Sequence, residues 1–292
     1  MWLGTSASAG SSRRVRRNSR ERRVITTAQG SRWPEGVRNA LPYSLVLVLL
    51  PPSETKSDGG SGAPLDLAAL TMPQLTGVRE RLIDELAKLA AEPDTARTVL
   101  GLGKGADAEI ARNAALRTSP TRPALERYTG VLYDALDAKS FTKAQRAKAL
   151  ARLGIGSALF GAVRAGDPIP AYRLSGGTKL PGQPTLSAIW RDSLADALVA
   201  EADGDLVIDL RSGSYQQLGR VPGAITANVL TEHPDGSRTV VSHFNKHHKG
   251  LLARALVLTR AEPGDIRAVA QVARKAGLRA EIAGPAELLI IT

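Results

Sequence analysis

The 292-residue chain has no cysteine. Disulfides, thiolate metal sites, iron–sulfur clusters and cysteine nucleophiles are therefore all excluded. Aromatic residues make up only 4%, with three phenylalanines and three tryptophans, and there are four histidines. Long apolar runs are missing as well. The longest strongly apolar stretch is LVLVLL at residues 45–50, stopped by Pro51-Pro52, whereas roughly 20 residues are needed to span a bilayer. No membrane segment is expected, and the absence of cysteine is compatible with a cytoplasmic protein. What the chain does have is 43% hydrophobic residues, enough at this length to bury a substantial core.

Its net charge of +11 is unevenly placed. Residues 1–44 hold nine arginines against only Glu21 and Glu35, a surplus of seven that leaves +4 for the remainder. This segment, rich in Arg, Ser and Gly, has no hydrophobic period and reads as a disordered extension, because it cannot bury enough apolar surface to offset its chain entropy. Its composition resembles a transit peptide and its arginine pairs a twin-arginine signal. An export signal needs an apolar stretch soon after the arginines, and the first one here follows Arg23 by over twenty residues. A basic nucleic-acid-binding tail and an extension with no role are the two remaining readings. The body, residues 45–292, reads as one domain whose modest basicity matters only if its cations share a face.

Within that body, residues 45–50 read as a buried strand running into a flexible polar loop, Pro51–Gly62. Helices are expected over 78–91, 107–116, 123–136, 142–153 (Thr142 as N-cap) and 184–199. Strands follow at 205–210, 224–230 and 238–244, then helices at 245–258 and 263–276, and closing strands at 278–282 and 287–291. The order predicts an α/β body, a single mixed-sheet domain with a helical insertion after its first strand.

Several constellations invite a chemical reading. Residues 142–166 read as a helix-hairpin-helix, with the run Gly156-Ser-Ala-Leu-Phe-Gly161-Ala-Val-Arg164 offering backbone N–H groups to a phosphate; the bland alternative is a hairpin in the core. In Ser242-His-Phe-Asn-Lys246-His-His-Lys249-Gly-Leu-Leu-Ala-Arg254 the cations recur near helical spacing after a strand, which suits phosphate and equally suits a solvated face. His243 and His247 lack a carboxylate for a metal site, so no metal and no cofactor are expected. Residues 207–224 look like the start of a rhodanese domain, but that sulfur transfer needs a cysteine, so the stretch reads as a strand, a short helix and a turn. Gly101-Leu-Gly-Lys-Gly105 lacks a P-loop ending and reads as a helix-linking loop. Glu54 and Asp209 have no partner at fixed spacing to make a general acid–base pair.

Taken in order, these segments resemble the YaaA family of bacterial peroxide-stress proteins. The resemblance runs from Leu49-Leu-Pro-Pro-Ser-Glu54-Thr-Lys56 through Tyr128-Thr-Gly130-Val-Leu-Tyr133, Ser157-Ala-Leu-Phe-Gly161-Ala-Val-Arg164, Pro170-Ala-Tyr172-Arg173-Leu174, Trp190 and Asp209-Leu-Arg-Ser212-Gly-Ser-Tyr215 to Lys249-Gly250 and Arg254. It implies a fold of the type called cantaloupe, with a helix-hairpin-helix and a positively charged cleft. It also implies a non-enzymatic, sequence-nonspecific DNA-binding protein, acting on single- or double-stranded DNA and limiting iron-driven peroxide damage. The implied DNA contacts are Lys56, Ser157, Gly161, Arg164, Tyr172, Arg173, Lys246, Lys249 and Arg254, on a monomer. The family pattern departs at Glu54, Ala158, Phe160, His247 and His248. Two rivals stand beside this expectation: an enzyme acting on a phosphorylated or nucleic-acid substrate, with Lys56, Asp209, Arg173 and Lys246 converging on one pocket, and a scaffold for a protein partner.

Overall fold

The structure, a computed structural model, describes Met1, residues 46–240 and residues 242–292, with the backbone only for 242–244. Apart from Met1, the expected disordered extension lies outside the described residues. In chain order the elements are β1 (Val46–Leu50), β2 (Gly62–Pro64), α1 (Thr76–Ala90), α2 (Pro93–Leu100), α3 (Asp107–Ala114), β3 (Pro120–Pro123), α4 (Ala124–Arg127), α5 (Val131–Leu136), α6 (Lys143–Arg152), β4 (Leu153–Ser157), β5 (Gly161–Arg164), β6 (Pro168–Ile169), α7 (Leu186–Ala202), β7 (Leu206–Asp209), α8 (Gly213–Gln216), β8 (Ile225–Glu232), β9 (Arg238–Val240), α9 (Ser242–Leu258), α10 (Ile266–Lys275), β10 (Arg279–Gly284) and β11 (Glu287–Ile291).

The main sheet runs β10-β11-β8-β7-β1-β4-β5, with β9 added to β8. Its centre, β11-β8-β7-β1-β4, is parallel, while β10, β5 and β9 pair antiparallel. β1 is central, and every one of its five residues is buried. A continuous Val/Leu run with no alternation is what a parallel strand covered on both faces requires. β2, β3 and β6 form a small second sheet, the first two from the insertion and β6 from the chain that follows β5. The mixed α/β sheet with a helical insertion after the first strand is thus present.

Local signals set most boundaries. Thr142 caps α6 with a reciprocal capping box to Gln145, and Thr185 and Asp265 cap α7 and α10. The expected helix over 123–136 is two short ones, because Gly130 takes φ +99° between them and Lys56 forms a bridge to Tyr128. α9 begins at Ser242 rather than continuing β9 to residue 244.

The helix-hairpin-helix expected at 142–166 does not form there. α6 ends at Arg152, and the following residues make a β-hairpin, registered Gly154↔Arg164 to Ser157↔Gly161. Its glycines answer to packing: a Cβ on Gly156 would lie 2.9 Å from Arg211 Cδ, and one on Gly161 2.9 Å from Trp190 Cζ3. β5 is the last strand of the sheet, and Arg79, fully buried, closes its edge by donating to the carbonyls of Phe160 and Ala162 at 3.1 and 2.9 Å.

Candidate functional site

β1 connects onward to β4 on one side, and β7, on the other side of β1, connects onward to β8. The carboxyl ends of β1 and β7 therefore flank a topological switch point, the place where open α/β sheets bind ligands. The loop after β1 is fixed there by two strands of contact. Ser57 N–H donates to Arg127 O at 2.8 Å and Thr129 N–H to Thr55 O at 3.3 Å, while the buried Arg127 guanidinium holds the Ile169 and Pro120 carbonyls at 3.1 and 3.2 Å.

This loop drives Lys56 inward. The residue is only 8% exposed, and its ammonium donates to Ser53 O at 3.0 Å while sitting 4.2 Å from the Tyr172 ring centroid and 5.5 Å from that of Tyr128. Burial pushes its pKa down to about 8; Glu54 opposes the shift and Arg173 adds to it. The Tyr172 hydroxyl joins Tyr128 OH at 2.8 Å and Ser157 Oγ at 2.7 Å, and Ser157 Oγ accepts from Phe160 N–H at 2.9 Å. Burial raises both tyrosines, Tyr128 to about 12.

A second buried group lies at the end of β7. Asp209 accepts from Arg211 through both carboxylate oxygens, at 2.9 and 2.8 Å, and Arg211 also donates to Gly219 O. Lys249, on α9, donates to Leu210 O at 3.1 Å and is 7% exposed; desolvation lowers its pKa to about 8 against the pull of Asp209. That bond sets α9 against the strand ends, so Lys246, one turn earlier and exposed, opens on the same edge.

Around these buried groups runs a polar rim. Ser53, Thr55 and Thr129 form a chain of hydroxyls at 3.1 Å spacing. Arg173 pairs with Glu54 at 3.1 Å, and its backbone is held both ways by the Asn113 amide at 2.8 Å. Tyr215 OH accepts from Gly176 N–H at 3.1 Å, and Ser212, Gly213 and Ser214 are exposed beside it.

The structure thus gathers Lys56, Ser157, Gly161, Tyr172, Arg173, Lys246 and Lys249 at one edge of the sheet. Arg164 is not among them: its register with Gly154 puts it at the opposite end of the hairpin from Ser157, where it donates to Ala151 O and lies 3.4 Å from Glu201. Arg254 lies two turns beyond Lys246 and serves the end of α5, donating to Leu136 O and Asp137 O at 2.9 and 3.0 Å. Of the six predicted cations, Lys246 is the one classed as exposed. Asp209 and Glu54, unpartnered in sequence, have Arg211 and Arg173 as partners. Asn113 and Arg127 carried no local signal, because Asn113 holds Arg173, 60 residues on, and Arg127 holds Ile169 and Ser57, 42 and 70 residues away.

Among the described residues no helix is long and apolar enough to cross a membrane. A family model described as peroxide stress protein YaaA matches residues 46–281. A UPF0246 protein of Corynebacterium efficiens is 56% identical over 241 residues, covering 81% of this chain and 95% of that protein. A UPF0246 protein of Corynebacterium glutamicum is 53% identical over 240 residues, with the same coverage. One from Streptomyces coelicolor is 44% identical over 246 residues, covering 83% of this chain and 94% of its own. With its matched span starting at β1 and reaching β10, the chain belongs to the peroxide stress protein YaaA family.

Proposed function

We propose that this chain protects against peroxide by binding DNA without reading its sequence, along the rim at the carboxyl ends of β1 and β7. One observation carries the reading: exposed hydroxyls, glycine backbone and the cations Arg173 and Lys246 come to one edge from four separate segments, around a switch point. Such donors contact phosphates and set position, not sequence. Shielded DNA suffers less iron-driven damage.

The test is salt-dependent DNA binding by the full chain against an Arg173→Ala, Lys246→Ala double variant. The slope of log affinity against log salt should fall by about two, and affinity with it. Equal affinity and slope in the double variant would remove the rim from the reading.

A second reading, an enzyme acting on a phosphorylated or nucleic-acid substrate, is favoured by one specific observation. Lys56 and Lys249 are kept dry, each with its pKa lowered to about 8, as catalytic amines are.

A further inference from the structure

Phosphate binding at the rim leaves Lys56 unused. Its amine lies beneath the exposed Glu54 and Thr55, against the faces of Tyr172 and Tyr128, and it donates only to backbone carbonyls of Ser53 and Glu54. Buried charges held for structure are normally paired. Here the nearby carboxylate of Glu54 is taken by Arg173 instead, at 3.1 Å. Burial against two tyrosine rings is what lowers its pKa, against the pull of Glu54, and a desolvated lysine is how an amine is made nucleophilic. The Glu54–Arg173 pair belongs to the rim, with side chains 46% and 21% exposed, which puts Arg173 within reach of a phosphate next to the residues that cover the amine.

We propose that Lys56 forms a Schiff base with an aldehyde carried beside a phosphate, namely the ring-opened deoxyribose of an abasic site in DNA. This rests on the DNA reading above. In the step the neutral amine adds to the aldehyde carbon, a C–N bond forms, and the carbonyl oxygen leaves as water with both amine protons, giving an imine. No oxidant or reductant is consumed. The lowered pKa of about 8 leaves on the order of a tenth of the amine neutral at pH 7. The hydroxyl chain Ser157–Tyr172–Tyr128, on whose rings the amine rests, provides groups that pass protons. Abasic aldehydes arise where peroxide-oxidised bases are lost from DNA, which matches the family's stress role.

The experiment incubates the full chain with a duplex carrying one abasic site, with the same duplex carrying a tetrahydrofuran analogue that has no aldehyde, and with 2-deoxyribose 5-phosphate, each with and without sodium borohydride. The expected result is a covalent adduct on the abasic duplex that requires borohydride, mapped by peptide mass to Lys56. Lys56→Arg, which keeps the charge on the tyrosine faces, should lose at least tenfold of that adduct; if it does not fold, the mapping on the natural chain decides. An adduct on the free sugar phosphate with none on DNA would overturn DNA as the source. An adduct mapped elsewhere, or binding to the analogue duplex with no adduct on the abasic one, would overturn the proposal and leave the DNA reading standing. No binding to either duplex would overturn both.

Discussion

Two regions place glycines beside cations, the β4–β5 hairpin and the turn joining α2 to α3, and they do so for opposite reasons. In the hairpin an added Cβ at Gly156 or Gly161 meets Arg211 or Trp190 at 2.9 Å. In the turn a Cβ on Gly101, Gly103 or Gly105 meets nothing within 4 Å. The first set makes room for neighbours, whereas in the second Gly101 and Gly105 supply left-handed backbone, at φ +62° and +87°. A glycine-rich, cation-bearing string is therefore as much a packing device as a phosphate cradle. Contact decides which.

The largest effect expected from this contrast is at Gly161. Its φ of +72° and the Trp190 ring together make Gly161→Ala costly, by about 3 kcal/mol when left-handed strain and overpacking are combined. Urea unfolding measures it, and a cost under 1 kcal/mol would mean the hairpin yields. Next comes the pH response of the lysines near the hairpin. Lys56 and Lys249 have folded pKa values lowered to about 8, so between pH 8 and the unfolded value near 10.4 the unfolded chain holds more protons. Stability should rise with pH across that window, by about 2 kcal/mol for each lysine. Above pH 10 the raised tyrosines Tyr128 and Tyr172 reverse the trend, since they stay protonated in the fold while the unfolded chain ionises. Lys56→Met should flatten the rise, measured by denaturant titrations at pH 7.5, 9 and 10. Gly156→Ala should cost less than Gly161→Ala, about 1–2 kcal/mol, because its φ is not left-handed and only the 2.9 Å contact with Arg211 Cδ has to give. The smallest effect has the opposite sign. Gly103→Ala, with open space and an ordinary φ, should stabilise by about 0.5 kcal/mol through the unfolded chain, readable as a small rise in melting temperature.

The same contrast shows where sequence was legible. Elements whose signals are local came through: the Thr142 cap and capping box, β1 stopped at Pro51, β11 over Glu287–Ile291, and the strand, short helix and turn of 206–224. α2 was not expected, although Pro93 at its first turn and Gly101 at its end are ordinary helix punctuation. The β4–β5 hairpin was hidden because three of its nine strand residues are glycines and its apolar run lacks alternation, both strands being buried throughout. In the site, residue types were legible and their burial was not. Lys56, Lys249 and Arg164 look like solvated cations on paper, yet each is under 10% exposed. The groups that draw them in are the Tyr172 ring, Leu210 O and Ala151 O. For Lys56 and Lys249 these lie far away in sequence and are joined only by the sheet order.

That sheet order also sets a timetable. β1 is made before either of its neighbours, and it rests between β4, whose paired residues begin at Leu153, and β7, whose pairing begins at Leu206. At about 5–20 residues per second, a ribosome needs on the order of five to twenty seconds to move from β1 to β4 and roughly three to ten more to reach β7. Until β4 is made this five-residue Val/Leu strand has both edges open, and until β7 is made it has one, the profile of an aggregation-prone segment. A centre built from the first strand of the described residues is therefore complete only once β7 has been made.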